Sequence, residues 1–146
     1  MKQFHVIVVG ATGAVGRFLV SQLLENSSIK SVTIFVRKNI ISENKKLIVH
    51  KIDFSNISEY SDKIVGDVLF SAMGTTLKDA GSRKKQYLVD YTYQYNFAKI
   101  ALKNGVKNYS LVSSVGANSK SLFFYPKIKG ALENDIANLS FERIQI

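Results

Sequence analysis

The sequence predicts an α/β protein built on a doubly wound parallel sheet, and three observations carry that expectation. Short β-branched runs alternate with helix-spaced segments along the whole chain. The first run leads straight into a glycine-rich turn and then an amphipathic segment. No internal repeat, low-complexity tract or linker interrupts the alternation. Strands alternating with helices imply parallel pairing with both faces of the sheet covered, and right-handed crossovers then give the doubly wound arrangement. A chain of 146 residues fits one domain, taken as 1–146.

The elements follow in order. Phe4 to Val9 carries no acidic or basic residue other than His5 and reads as a strand buried on both faces. Gly10 to Gly16 is a turn. Arg17 to Asn26 places Phe18, Leu19, Leu23 and Leu24 at helical spacing. Ser31 to Val36 and Lys46 to Ile52 are the second and third strands. Ile57 to Ile64 is a short helix, Gly66-Asp67 a turn, and Val68 to Ala72 the fourth strand. Lys84 to Asn104 is the longest periodic segment, stopped at Asn104-Gly105. Tyr109 to Ser113 is the fifth strand, with Ser113-Ser114 at its end. Tyr125 to Asn138 is a helix, and Phe141 to Ile146 begins a sixth strand.

Composition bounds the chemistry. Hydrophobic residues make up 46% and charged residues 21%, the balance of an ordinary globular domain. Cysteine is absent, which excludes disulfides, thiolate metal sites and a cysteine nucleophile, and no metal is expected. The net charge is +9, but the lysines are scattered and no helix carries a continuous basic stripe. A soluble surface rich in lysine is the favoured reading, attraction of an anionic cofactor is compatible with it, and neither nucleic acid nor membrane is expected as a partner. The apolar run at the N-terminus is too short for a secretion signal, and no stretch approaches the ~20 apolar residues of a membrane span. A cytoplasmic protein is therefore expected.

The glycine turn carries the first functional signal. Gly10, Gly13 and Gly16 lie between a buried strand and an amphipathic helix, the context in which such glycines bind a dinucleotide. One glycine permits the turn, another admits a pyrophosphate, and a third lets helix and strand pack. Free amides and the helix dipole favour the phosphate charge. The second strand ends in Arg37-Lys38, where an NAD-selective site usually has an acid. Two cations suit a 2′-phosphate, so NADP(H) is preferred over NAD(H), with a solvated surface pair as the bland alternative.

A second signal lies toward the C-terminus. Tyr125 and Lys129 stand four apart on a helix and share a face. A lysine ammonium near the phenol stabilises the phenolate and lowers the tyrosine pKa from ~10, suiting it to move a proton. A hydroxyl from Ser114, with Ser113 as its substitute, is placed to hold a substrate oxygen.

The Gly-x-x-Gly-x-x-Gly spacing, the Ser113-Ser114 pair and the Tyr-x-x-x-Lys element resemble the short-chain dehydrogenase/reductase superfamily. The segments Ser71 to Thr76, Leu111 to Ala117 and Tyr125 to Glu133 are most similar to its atypical branch that contains the Tat-interactive-type oxidoreductases. The resemblance implies a single Rossmann domain and NADPH binding through Thr12, Gly13, Ala14, Val15, Arg37, Lys38, Tyr125 and Lys129. It implies that Asp53 contacts the adenine and Phe54 borders it, although an aspartate after a strand is also a common helix cap. It implies that Ala72, Met73 and Gly74 run beside the cofactor, with a simple loop glycine as the alternative for Gly74. The function expected is hydride transfer between NADP(H) and a small carbonyl or alcohol through Ser114, Tyr125 and Lys129. The alternative is a non-catalytic NADP(H)-binding regulator or sensor. Family members continue past the sixth strand, so the C-terminal substrate lobe is expected to be missing and a homodimer to cover the sheet edge.

Overall fold

A computed structural model describes residues Met1–Ile146. Six strands form one sheet: β1 (Phe4–Val9), β2 (Ile29–Val36), β3 (Leu47–Lys51), β4 (Val68–Ser71), β5 (Asn108–Leu111) and β6 (Arg143–Gln145). Their order is β3-β2-β1-β4-β5-β6 and every pair is parallel. The order reverses at β1, so a crevice opens at the carboxyl ends of β1 and β4, where ligands bind in such sheets.

The pleat divides the core. Val6 and Val8 on β1 face helix α1 (Ala14–Glu25), with Val32 and Ile34 of β2 beside them. Ile7 and Val9 face the opposite side and pack with Phe97, Ala98 and Ala101 of α4 (Tyr93–Lys103) and Leu132 and Ile136 of α5 (Phe124–Ala137). These β1 residues are at most 1% exposed, which explains why the strand shows no polar alternation in sequence.

Between β4 and α4 the chain forms α2 (Leu77–Ala80) and α3 (Arg83–Tyr87), and then a π-helical stretch over Leu88–Thr92 that runs directly into α4. Thr76 caps α2 and Ser82 caps α3 through side-chain oxygens.

Several boundaries differ from expectation. Helix α1 begins at Ala14, so Gly16 lies inside a helix rather than in the turn. It fits because its neighbour across the turn is the Gly10 carbonyl, with no room for a Cβ between them. Phe18 is 69% exposed, so the half-buried stripe by which α1 packs on the sheet runs through Leu19, Val20, Leu23 and Leu24 instead. Strand β5 stops at Leu111, and Ser113 and Ser114 lie in the loop that follows. The segment expected as a helix over 57–64 is a 3-10 helix over Phe54–Lys63, started earlier by an Asp53 cap.

Candidate cofactor cleft and catalytic edge

The crevice above β1, β2 and β4 is a cleft of about 1200 Å³. Gly10 (φ 78°), Thr12 and Gly13 form one wall, and Ala72, Met73, Gly74 and Thr75 the other. A Cβ at Gly10 would overlap the Ala72–Met73 backbone, so the two walls approach as closely as glycine permits. Gly13 caps α1 without a side chain, so no side-chain oxygen takes up the first amides of the helix.

Arg37, Asp53 and Phe54 also line the cleft, as expected from sequence. Lys51 joins them: its place opposite Val36 in the β2–β3 ladder brings it beside Arg37. Lys38 is exposed in the bend after β2 and does not line the cleft, nor do Ala14, Val15 and the buried Gly16. The Asp53 carboxylate accepts from the Ser55 hydroxyl (2.6 Å), the Ser55 amide (2.9 Å) and the Asn56 amide group (3.0 Å). These bonds, the Ser55 hydroxyl foremost, hold its carboxyl below the usual carboxylate range. The residue is therefore a helix cap that also faces the cleft.

Ser114, Tyr125 and Lys129 stand outside the lining of this cleft. Lys129 is only 3% exposed, and its Nζ lies 2.8 Å from Oδ1 of Asp90, which is fully buried. The alignment on that oxygen falls short of a hydrogen bond, so charge rather than direction holds the pair. The ammonium sits just behind Gly74, where an added Cβ would be 3.8 Å from it, and 5.7 Å from the centroid of the Tyr125 ring. Tyr125 lies at the start of α5 with its ring partly in solvent, where Pro126 suits the first turn. It lines a smaller cavity of about 500 Å³ with Thr75, Arg83, Gln86 and Phe124. Thr75 lines both cavities and marks their junction. The Ser113 and Ser114 hydroxyl oxygens are both buried and have no hydrogen-bond partner.

Sequence reasoning missed the row beneath the cleft wall. Gln86 donates to the Thr75 carbonyl (3.3 Å), Asp90 Oδ2 accepts from the Thr75 amide (3.2 Å), and Gln94 donates to the Met73 carbonyl (3.2 Å). Gln94 also accepts from Ser71 Oγ (2.7 Å). Three buried polar side chains thus pin the segment leaving β4. The signal was present as three polar residues, each four apart, on the buried side of an otherwise apolar segment.

This fold and cleft define a Rossmann-type dinucleotide-binding domain. A family model described as NAD(P)H-binding matches residues 10–137. The chain belongs to that family. Among relatives, it is 38% identical over 144 residues to "Protein FMP52, mitochondrial" of Candida albicans, covering 95% of this chain and 63% of the relative. It is 31% identical over 150 residues to "Protein HTATIP2" of Rattus norvegicus, covering 100% of this chain and 62% of the relative. The chain thus spans about three-fifths of the length of these relatives. In fold it matches the Bordetella bronchiseptica enzyme WbmG in complex with NAD (TM-score 0.81, 13% identity, 99% of this chain and 52% of that one). Uronate dehydrogenase from Agrobacterium tumefaciens is similar as well (TM-score 0.74, 16% identity, 92% and 55%). The expectation of a cytoplasmic protein is overturned: fungal relatives carry names that place them in mitochondria. A short N-terminal apolar run and the lack of a long apolar stretch were the grounds for it, and neither separates the cytoplasm from that organelle.

Proposed function

We propose that the chain binds NADP(H) in the large cleft and transfers a hydride between it and a small carbonyl or alcohol. The observation that carries this reading is the junction at Thr75, where the cleft meets the cavity walled by Tyr125. The residues present fit the cofactor. The glycine turn brings backbone close enough for a pyrophosphate, and Arg37 with Lys51 offers two cations to a 2′-phosphate. Neither cation is paired with a carboxylate. Ala72, Met73 and Gly74 run along its other side, and Phe54 with Asp53 borders the adenine end.

When bound, the nicotinamide supplies or accepts the hydride. In reduction, the Tyr125 hydroxyl donates its proton to the carbonyl oxygen as the hydride reaches the carbon, so an alcohol leaves and a proton returns from solvent. The orphaned hydroxyl of Ser114, or of Ser113, donates a hydrogen bond to that oxygen and gains the partner it lacks. Lys129 holds a positive charge behind the tyrosine ring, fixed in place by Asp90.

The test is Tyr125→Phe. Turnover of a carbonyl panel should fall by at least ~10²-fold, the lower end of a general acid's contribution, while the NADPH dissociation constant stays within about threefold. Surviving turnover removes Tyr125 from its role. One observation favours a second reading, a binding regulator without chemistry: Asp90 already neutralises Lys129. NADPH binding with no turnover across the panel would select that reading.

A further inference from the structure

The smaller cavity carries a cation that nothing in the reaction just described uses. Arg83 begins α3 and lines this cavity with Thr75, Thr76, Leu77, Gln86, Phe124 and Tyr125. No acidic residue lines it, and no carboxylate lies within ion-pairing distance of Arg83. Its guanidinium carbon stands 5.3 Å from the centroid of the Phe124 ring, adjacent in sequence to Tyr125. A cation over an aromatic face is held in place yet keeps its in-plane N–H donors free. The Gln86 amide is committed to the Thr75 carbonyl, so the guanidinium is the cavity's one uncommitted charged donor.

We propose that this cavity is a substrate subsite for the carboxylate of an oxo acid, or of the hydroxy acid it interconverts with, anchored by Arg83. The inference rests on the reading of Tyr125 as the proton donor, and it adds the substrate class. Leu77, Phe124 and Tyr125 give the cavity apolar walls, and about 500 Å³ suits a small carbon skeleton ending in one anionic group. A planar carboxylate matches the guanidinium fork in two parallel hydrogen bonds. A phosphate dianion would meet a single cation among apolar walls.

The probes are phenylglyoxylate and its neutral methyl ester, measured on the full chain saturated with NADPH by saturation-transfer NMR, which needs no turnover. The acid should bind at least about tenfold tighter than the ester, the lower range for a hydrogen bond to a charged group. Arg83→Gln should erase that preference, weakening the acid and sparing the ester. Thermal unfolding of Arg83→Gln should match the parent, since the side chain is exposed. Equal binding of acid and ester, no binding of the acid, or a preference that survives Arg83→Gln overturns the proposal. A parallel NADPH titration separates the two readings. If the cofactor does not bind, the proposed function fails, and the same probes on the cofactor-free chain decide the subsite by the same criteria.

Discussion

Breaking the Asp90–Lys129 pair tests how the catalytic edge is built. At 2.8 Å, with an effective dielectric of about 20, the attraction is about 6 kcal/mol, and desolvation of two buried ions offsets much of it. Removing one partner is a different matter. Lys129→Met leaves a fully buried carboxylate with the Thr75 amide as its remaining donor. Asp90→Asn leaves an ammonium 3% exposed without a counter-charge. Each should cost about 3–5 kcal/mol, a large share of the ~5–15 kcal/mol that holds a domain of this size. The double variant carries no uncompensated charge, so its loss should fall at least ~2 kcal/mol short of the sum. Urea unfolding followed by circular dichroism reads all four proteins, with an unchanged m-value as the check that the unfolded states match. Because the pair is buried, the coupling should survive 1 M salt. Single losses under ~1 kcal/mol, adding within ~0.5 kcal/mol in the double variant, would refute the reasoning.

Gly16→Ala drives a methyl into the Gly10 carbonyl and should lower stability by ~2 kcal/mol or more, with weakened NADPH binding, read by thermal unfolding and fluorescence titration. Arg37→Glu should shift the NADPH-to-NADH affinity ratio toward NADH by at least tenfold; parallel titrations that show no shift would remove Arg37 from the 2′-phosphate site. Burial, and then the nearby Lys63 cation, holds the His50 imidazole below its ordinary value, with Asp62 opposing. The folded chain therefore binds fewer protons at this site than the unfolded one near and below pH ~6.5, and stability should fall as pH drops through that range. Urea midpoints at pH 7.5 and 5.5 should differ less in His50→Gln than in the parent, and an equal pH dependence would count against the assignment.

The legible parts of the fold were those where one physical pattern dominates. β1 was readable because its doubly buried part shows an apolar run from Val6 to Val9 closed by a glycine of positive φ. The wall residues Gly10, Thr12, Gly13 and Arg37 followed from that turn and from the strand end beside it. The helix from Arg83 to Lys103 was legible in extent but not in character. Its apolar spacing predicts a plain amphipathic helix, whereas Gln86, Asp90 and Gln94 turn a polar row into the core to hold the Ser71–Thr75 segment. The four-residue spacing of that row was visible in the sequence, but what it holds was not, because its partners are backbone groups distant in sequence. Lys129 illustrates the same limit. Its spacing from Tyr125 was readable, but its buried counter-ion was not, since Asp90 lies on another helix.

The π-helical stretch over Leu88–Thr92 sets a length rule for this part of the chain. Such a stretch amounts to one residue inserted into an α-helix, and each residue turns the helix by about 100°. Its Val89 carbonyl is taken up by the Gln94 side chain at 3.1 Å, so the extra residue leaves no buried acceptor stranded. Deleting one residue there would restore regular helical bonding and swing everything before it around the axis. Gln86 would lose the Thr75 carbonyl, and Arg83 would be carried away from Phe124 and the cavity beside Tyr125. Sequence drift in this helix can therefore exchange side chains far more freely than it can change their number.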